Sequence, residues 1–176
     1  MKKYILICFL MFTCMGAFAQ KFAYVDTEYI LKHLPEYKSA LSQLNVLSEQ
    51  WQGQVDNNFV EIDKMYKAYQ ADQVLLTEDM RKRRENDIIE KEKEAKDFQR
   101  RIFGPDGELF QSRTKLLNPI QDKVTKVIAD VAKAKYLDFI FDKSSEATMM
   151  IYASSNYDVS NDVIKQLGYK PGTLVK

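Results

Sequence analysis

The sequence predicts an α+β protein, predominantly helical, in which a small sheet body of three short strands per chain carries a long antiparallel helical-hairpin arm. Three observations predict it. Residues 36–103 hold no proline and a single glycine, Gly53. Within them Leu41, Leu44, Ser48, Trp51, Val55, Asn58, Ile62, Met65 and Tyr69 recur at alternating steps of three and four. Seven of these nine are apolar, which is the seam of a coiled coil rather than the core of a compact enzyme. After Lys135 the period changes from helical to two, as Leu137, Phe139 and Phe141 alternate along the chain.

The chain opens on a secretory leader. Lys2 and Lys3 precede an apolar run over residues 4–12, and Ala17-Phe18-Ala19 has the small-x-small form of a cleavage site. The run is well short of the ~20 residues of a spanning helix, so a leader cleaved after residue 19 is expected rather than an anchor. Cys14 raises lipidation as an alternative, but Met11-Phe12-Thr13 lacks the small residue a lipoprotein signal places before its cysteine. Cleavage leaves 20–176 as one domain, with a body of residues 20–34 and 136–176 and an arm of residues 35–135. Both cysteines, Cys8 and Cys14, leave with the leader, so the mature chain has neither disulfide nor thiolate chemistry. Removing Lys2 and Lys3 leaves 24 basic against 25 acidic residues, a formal charge of −1 that gives no sign of nucleic-acid binding. With this leader, export from the cytoplasm is expected.

Lys21-Phe22-Ala23-Tyr24-Val25-Asp26 has the β-branched and aromatic content of a strand. Asp26 or Thr27 can cap a brief helix, which Pro35 ends near His33 and restarts in its own first turn. The long helix then runs from 35 to about 71. It can turn back at 72–77 or at Gly104-Pro105-Asp106-Gly107, and length decides between them. A turn at Gly104 leaves ~100 Å outward against ~40 Å back at 1.5 Å per residue, so the tip belongs near Asp72. Thr77 then caps the return helix, and Glu78 and Asp79 favour its positive end.

Gly104 to Gly107 becomes a break within the return arm, which is expected to stay irregular until Asn118-Pro119 restarts it; a kinked continuous helix is the alternative. Leu116 or Leu117, Ile120, Val124, Val127 and Val131 then rebuild the apolar stripe. After the Phe139 strand, Ser144-Ser145-Glu146 turns the chain into a third strand over 149–153. Ser160 is expected to cap a last helix through Leu167, with Gly168 at its end and Pro171 beyond. Three short strands offer little interior, so burying strand faces and the Ile120 to Val131 stripe between copies predicts a cyclic oligomer.

No phosphate-cradling glycine loop, zinc-spaced Cys/His cluster or nucleophile elbow is present, so neither enzyme activity nor a cofactor or metal is expected. His33 is the only histidine and has no identifiable nucleophile or orienting carboxylate, which makes it a helix-end or packing residue. Glu90, Glu92 and Glu94 mix with lysines on a solvated helix. Helix-spaced pairs are expected between Asp87 and Lys91 and between Glu92 and Lys96. Asp26 and Asp142 end strands and are expected to bind backbone groups.

The order of leader, Tyr24-Val25-Asp26 strand, long hairpin, Asp138-Phe139-Ile140-Phe141-Asp142 strand, 149–153 strand and Asp158-Val159-Ser160-Asn161-Asp162-Val163 helix resembles the OmpH/Skp family of periplasmic chaperones. The resemblance covers essentially the whole mature chain. It implies a homotrimer whose β-rich body and three arms enclose a cavity for unfolded outer-membrane β-barrel proteins, working as a holdase without ATP. The Gly104 to Gly107 break departs from an uninterrupted arm.

Unfolded barrel strands alternate apolar and polar residues and aggregate through exposed edges, so a holder needs many adaptable contacts. Met65, Tyr66, Tyr69, Val74, Leu75, Leu76 and Met80 cluster around the expected tip and are the candidate client contacts, methionine and tyrosine being suited to irregular partners. Ordinary packing of the hairpin is the competing role for each. Arg81-Lys82-Arg83-Arg84 follows and is the candidate contact for an anionic membrane surface, against a solvated helix face. A structural coiled-coil adaptor binding one folded envelope partner is the alternative function.

Overall fold

The computed structural model describes residues 20–173. They fall into two compact units, one of residues 20–33 with 124–173 and one of residues 34–123. The leader, with Lys2, Lys3, Cys8, Cys14 and its cleavage motif, lies outside the described residues. In chain order the elements are β1 (Phe22–Val25), α1 (Thr27–Lys32), α2 (Pro35–Asp72), α3 (Glu78–Phe103), α4 (Glu108–Lys135), β2 (Phe139–Asp142), a 3-10 turn at Ser155–Tyr157 and α5 (Ser160–Gln166). Helix α4 divides at residue 123, its last twelve residues clustering with the strands.

In the strand-bearing unit β1 and β2 pair in parallel, Phe22 facing Phe139 and Val25 facing Asp142. Parallel pairing needs a long crossover, and the intervening helices provide it. The second side of β1 is taken by a bridge from Tyr24 to Asp158, where the Val159 N–H donates to the Tyr24 carbonyl at 3.0 Å. Ala23, Val25, Ile30, Val163 and Ile164 form the buried core.

The expected third strand does not form: residues 149–153 make no ladder, and Met149, Ile151 and Tyr152 are 91%, 95% and 85% exposed. A strand exists only against an edge, and within its own chain this segment meets none. Ser160 is likewise not the cap of α5 but its first residue. Its amide is held by the Asp158 carboxylate at 2.9 Å, and its hydroxyl accepts from the Asp26 N–H at 2.9 Å. Gly168 ends the segment at φ +90°, a conformation glycine adopts without penalty.

Asp26 caps α1 by accepting from the Tyr29 N–H at 2.8 Å, and Pro35 sits in the first turn of α2 as expected. The α2 seam is buried or half-buried at Leu44, Ser48, Trp51, Val55, Asn58, Ile62, Met65 and Tyr69. Leu41 is the exception, being exposed while Ala40 packs with Leu44 and Leu117.

The break at residues 104–107 is real, but it is short. A Cβ on Gly104 would strike the Arg100 carbonyl and one on Gly107 the Ile102 carbonyl, so the chain can fold this tightly only with glycine. Helix α4 resumes at Glu108, and Asn118-Pro119 is not a restart, since Pro119 lies inside the helix. Proline deletes one backbone bond there, and the flanking Leu116, Leu117 and Ile120 hold the helix by packing on Tyr37, Ala40 and Leu44.

Ion pairs measure the consequence. Glu36 meets Lys123 at 2.8 Å and Glu61 meets Lys91 at 3.9 Å. Between these rungs α2 spends 25 residues and the return chain 32, counted from 36 to 61 and from 91 to 123. The return chain thus spends seven extra residues around the break, and seven-residue spacing of buried positions holds on each side of it, at Ile88, Ala95 and Ile102 before and at Leu117, Val124 and Val131 after.

Candidate functional site

The hairpin turns over residues 73–77, where the Leu75 N–H bonds the Asp72 carbonyl at 2.8 Å. Thr77 caps α3, its hydroxyl accepting from the Met80 N–H at 3.4 Å, and Glu78 and Asp79 occupy the electropositive first turn.

Below the turn, Ile62, Tyr69, Ile88 and Ala95 form a buried cluster on which Met65 and Leu76 pack. The Tyr69 hydroxyl donates to the Glu85 carboxylate and accepts from Gln73 at 3.4 Å. The hydrogen bond to Glu85, then burial, raises the phenol above its usual range, so it remains a neutral donor.

The seven candidate residues therefore divide. Met65, Tyr69 and Leu76 lie in the hairpin's packing, whereas Val74 and Leu75 are 92% and 85% exposed and Tyr66 and Met80 are half exposed. Two bare aliphatic side chains thus form an exposed apolar patch at the end of a charged hairpin. Arg81, Lys82, Arg83 and Arg84 are all exposed on the next turns.

The candidate client and membrane contacts all lie at the tip; a second apolar surface lies on the strand-bearing unit, whose strand faces are expected to be buried between copies. Phe22, Phe139 and Phe141 are exposed, Phe22 stacks on Tyr157 at 5.4 Å, and a cleft of about 350 Å³ lies between Phe22, Tyr24, Phe141, Met150 and Tyr152. The alternation of Phe139 and Phe141 signalled a sheet face, and within the chain that face stays uncovered.

The titratable groups singled out beyond the tip, His33, Asp142 and Glu92, have structural partners. His33 is 1% exposed, and because the Gly172 N–H donates to Nε2 at 3.1 Å, Nδ1 is the donor to the Tyr29 carbonyl at 2.8 Å. Both ring nitrogens are thus occupied by backbone. Asp142 accepts from the Thr27 hydroxyl at 2.6 Å, the Thr27 N–H at 3.2 Å and the Ser144 hydroxyl at 2.8 Å. Burial pushes its carboxyl up, but these hydrogen bonds outweigh burial and hold it below the ordinary carboxylate value. Glu92 pairs with Lys96 at 3.4 Å as expected, while Lys91 pairs with Glu94 and Glu61 rather than with Asp87. Among the described residues no group of three or more His, Cys, Asp or Glu side chains is placed to hold a metal, and no helix is long and apolar enough to cross a membrane.

Comparison with known proteins is consistent with this architecture. A protein of uncharacterised function from Aquifex aeolicus (strain VF5) is 24% identical over 151 residues, covering 86% of this chain and 88% of its own length. A crystal structure from Caulobacter crescentus CB15, of a protein provisionally assigned as an outer membrane chaperone (OmpH-like), superposes with a TM-score of 0.67 at 15% identity. That match covers 92% of both chains and shows the fold. The OmpH-like outer membrane protein family matches residues 21–167, and the chain belongs to that family.

Proposed function

We propose that this protein is an ATP-independent periplasmic holdase that binds unfolded outer-membrane β-barrel proteins and prevents their aggregation. The observation that carries the reading is the exposed apolar tip, Val74 and Leu75 flanked by Tyr66 and Met80, on a hairpin whose seam is buried or half-buried from Leu44 to Tyr69. Such residues offer contacts without directional demands, which suits a client with no fixed shape. The uncovered faces of Phe139, Phe141 and Ile151 support assembly into a trimer, whose three hairpins would bound the client cavity. Family membership and the Caulobacter fold match point the same way.

Light scattering from a refolding outer-membrane barrel protein tests it. Stoichiometric mature protein should suppress the scatter without nucleotide, and no suppression at excess contradicts the reading. An adaptor for one folded envelope partner would instead recover a single dominant folded protein in pull-downs, where a holdase recovers many unfolded ones.

The tip also supports contact with an anionic membrane surface, because Arg81, Lys82, Arg83 and Arg84 stand beside the two exposed aliphatic residues. Arg81→Glu with Arg84→Glu should weaken binding to anionic liposomes while leaving oligomeric mass unchanged. Equal binding removes the membrane role.

A further inference from the structure

The first described residue is a glutamine, and its chemistry at that place is specific. Lys21 is pinned on both sides of its peptide. Its N–H donates to the Asp138 carboxylate at 2.8 Å, and its carbonyl accepts from the Asp138 N–H at 2.7 Å. Gln20, immediately before it, is exposed and lies outside any helix or strand. It forms one wall of a cleft of about 630 Å³ that is also lined by Lys21, Lys135, Tyr136, Leu137 and Tyr157.

We propose that Gln20 is a modification site: in the exported protein it closes on itself to a terminal pyroglutamate. The inference rests on the periplasmic reading, with cleavage after Ala19 making Gln20 the first residue. Its α-amine then attacks the side-chain amide carbon, a C–N bond closes the five-membered lactam, and the amide nitrogen leaves as ammonia with the proton the amine gives up. No oxidant, reductant or metal is consumed. The exposed side chain of Gln20 puts no packing barrier in the way, while two hydrogen bonds to Asp138 anchor Lys21 behind it.

The electrostatic result is local. A terminal ammonium would add a third positive charge to a cleft whose walls already carry Lys21 and Lys135, the latter paired with Asp162 at 2.7 Å. The lactam removes that charge and leaves a compact, neutral end that carries no primary amine. Aminopeptidases that require a free terminus then have no substrate.

Intact-mass spectrometry of the full chain, expressed with its own leader and recovered from the periplasm, tests this together with terminal-amine labelling. The expected mass is that of residues 20–176 less one ammonia, with loss of labelling at residue 20. The Gln20→Asn variant should keep its ammonia and its label. A chain beginning at Gln20 with full mass and a labelled terminus overturns the inference and leaves export standing. Retention of the leader overturns both, and the same ammonia loss from Gln20→Asn places the reaction elsewhere and overturns the assignment.

Discussion

The two units handle their apolar surface in opposite ways. In the hairpin unit, Leu44, Val55, Ile62, Tyr69, Ile88, Ala95, Ile102 and Leu117 are all buried; Val46, Val60 and Ile89 are partly exposed along the helices, but the barest aliphatics, Val74 and Leu75, are at the turn. In the strand-bearing unit the interior around Ile30 and Val163 is closed, yet Phe22, Phe139, Phe141, Met149, Ile151 and Tyr152 face outward. A helix satisfies its backbone internally and needs only one partner for its stripe. A two-stranded sheet leaves an edge and a face over, so the strand-bearing unit is where association is expected and the hairpin is where client contact is expected.

The sharpest way to break this contrast is to put charge on the uncovered face. Phe141→Asp with Ile151→Asp should reduce the assembly to single copies with unchanged helicity. Each change should weaken association by at least about 2 kcal/mol, roughly thirtyfold, read by sedimentation. The matching change in the hairpin, Ile88→Ala, should lower unfolding stability by about 2–4 kcal/mol in a denaturant titration without altering oligomeric mass. Should both substitutions change mass equally, the division of labour is wrong.

Much of this division was legible in the sequence. The tip near Asp72, the Thr77 cap, the Pro35 restart and the Gly104 to Gly107 break follow from local chemistry and length, and each is found. The misses share one cause. Asn118-Pro119 and Ser160 carry strong local signals that packing or a distant partner redirects: Pro119 is held within α4 beside the packed Leu117 and Ile120, and Ser160 is claimed by the Asp26 amide. The 149–153 strand has the right composition, but strand pairing is not a local property. At the tip, sequence placed the cluster, but only the fold separates the buried Tyr69 from the exposed Val74 and Leu75.

Smaller effects refine the contrast. Asp142→Asn should destabilise the strand-bearing unit by about 1–3 kcal/mol through weakened hydrogen bonds to Thr27 and Ser144. The folded carboxyl titrates below its unfolded value, so its stabilisation is complete above the ordinary carboxylate range and is lost as pH falls through the folded value. Acid should therefore narrow the gap between wild type and variant, measured as midpoint against pH.

Tyr136 ends α4 at φ +55°, where the Leu137 N–H bonds the Ala132 carbonyl at 2.9 Å. Glycine suits that left-handed position better, so Tyr136→Gly should raise stability by about 1 kcal/mol in the same titration. Val74→Ser with Leu75→Ser should stay within about 0.5 kcal/mol of wild type and yet lose suppression of client scatter.

Native mass spectrometry of the mature protein tests the central claim most directly, because it asks whether the exposed Phe139, Phe141 and Ile151 face is covered by further copies. Three copies per particle in the wild type, falling to one in the Phe141→Asp, Ile151→Asp variant, is the expected result. A wild type that stays a single copy at micromolar concentration, with that face open to solvent, would contradict the account.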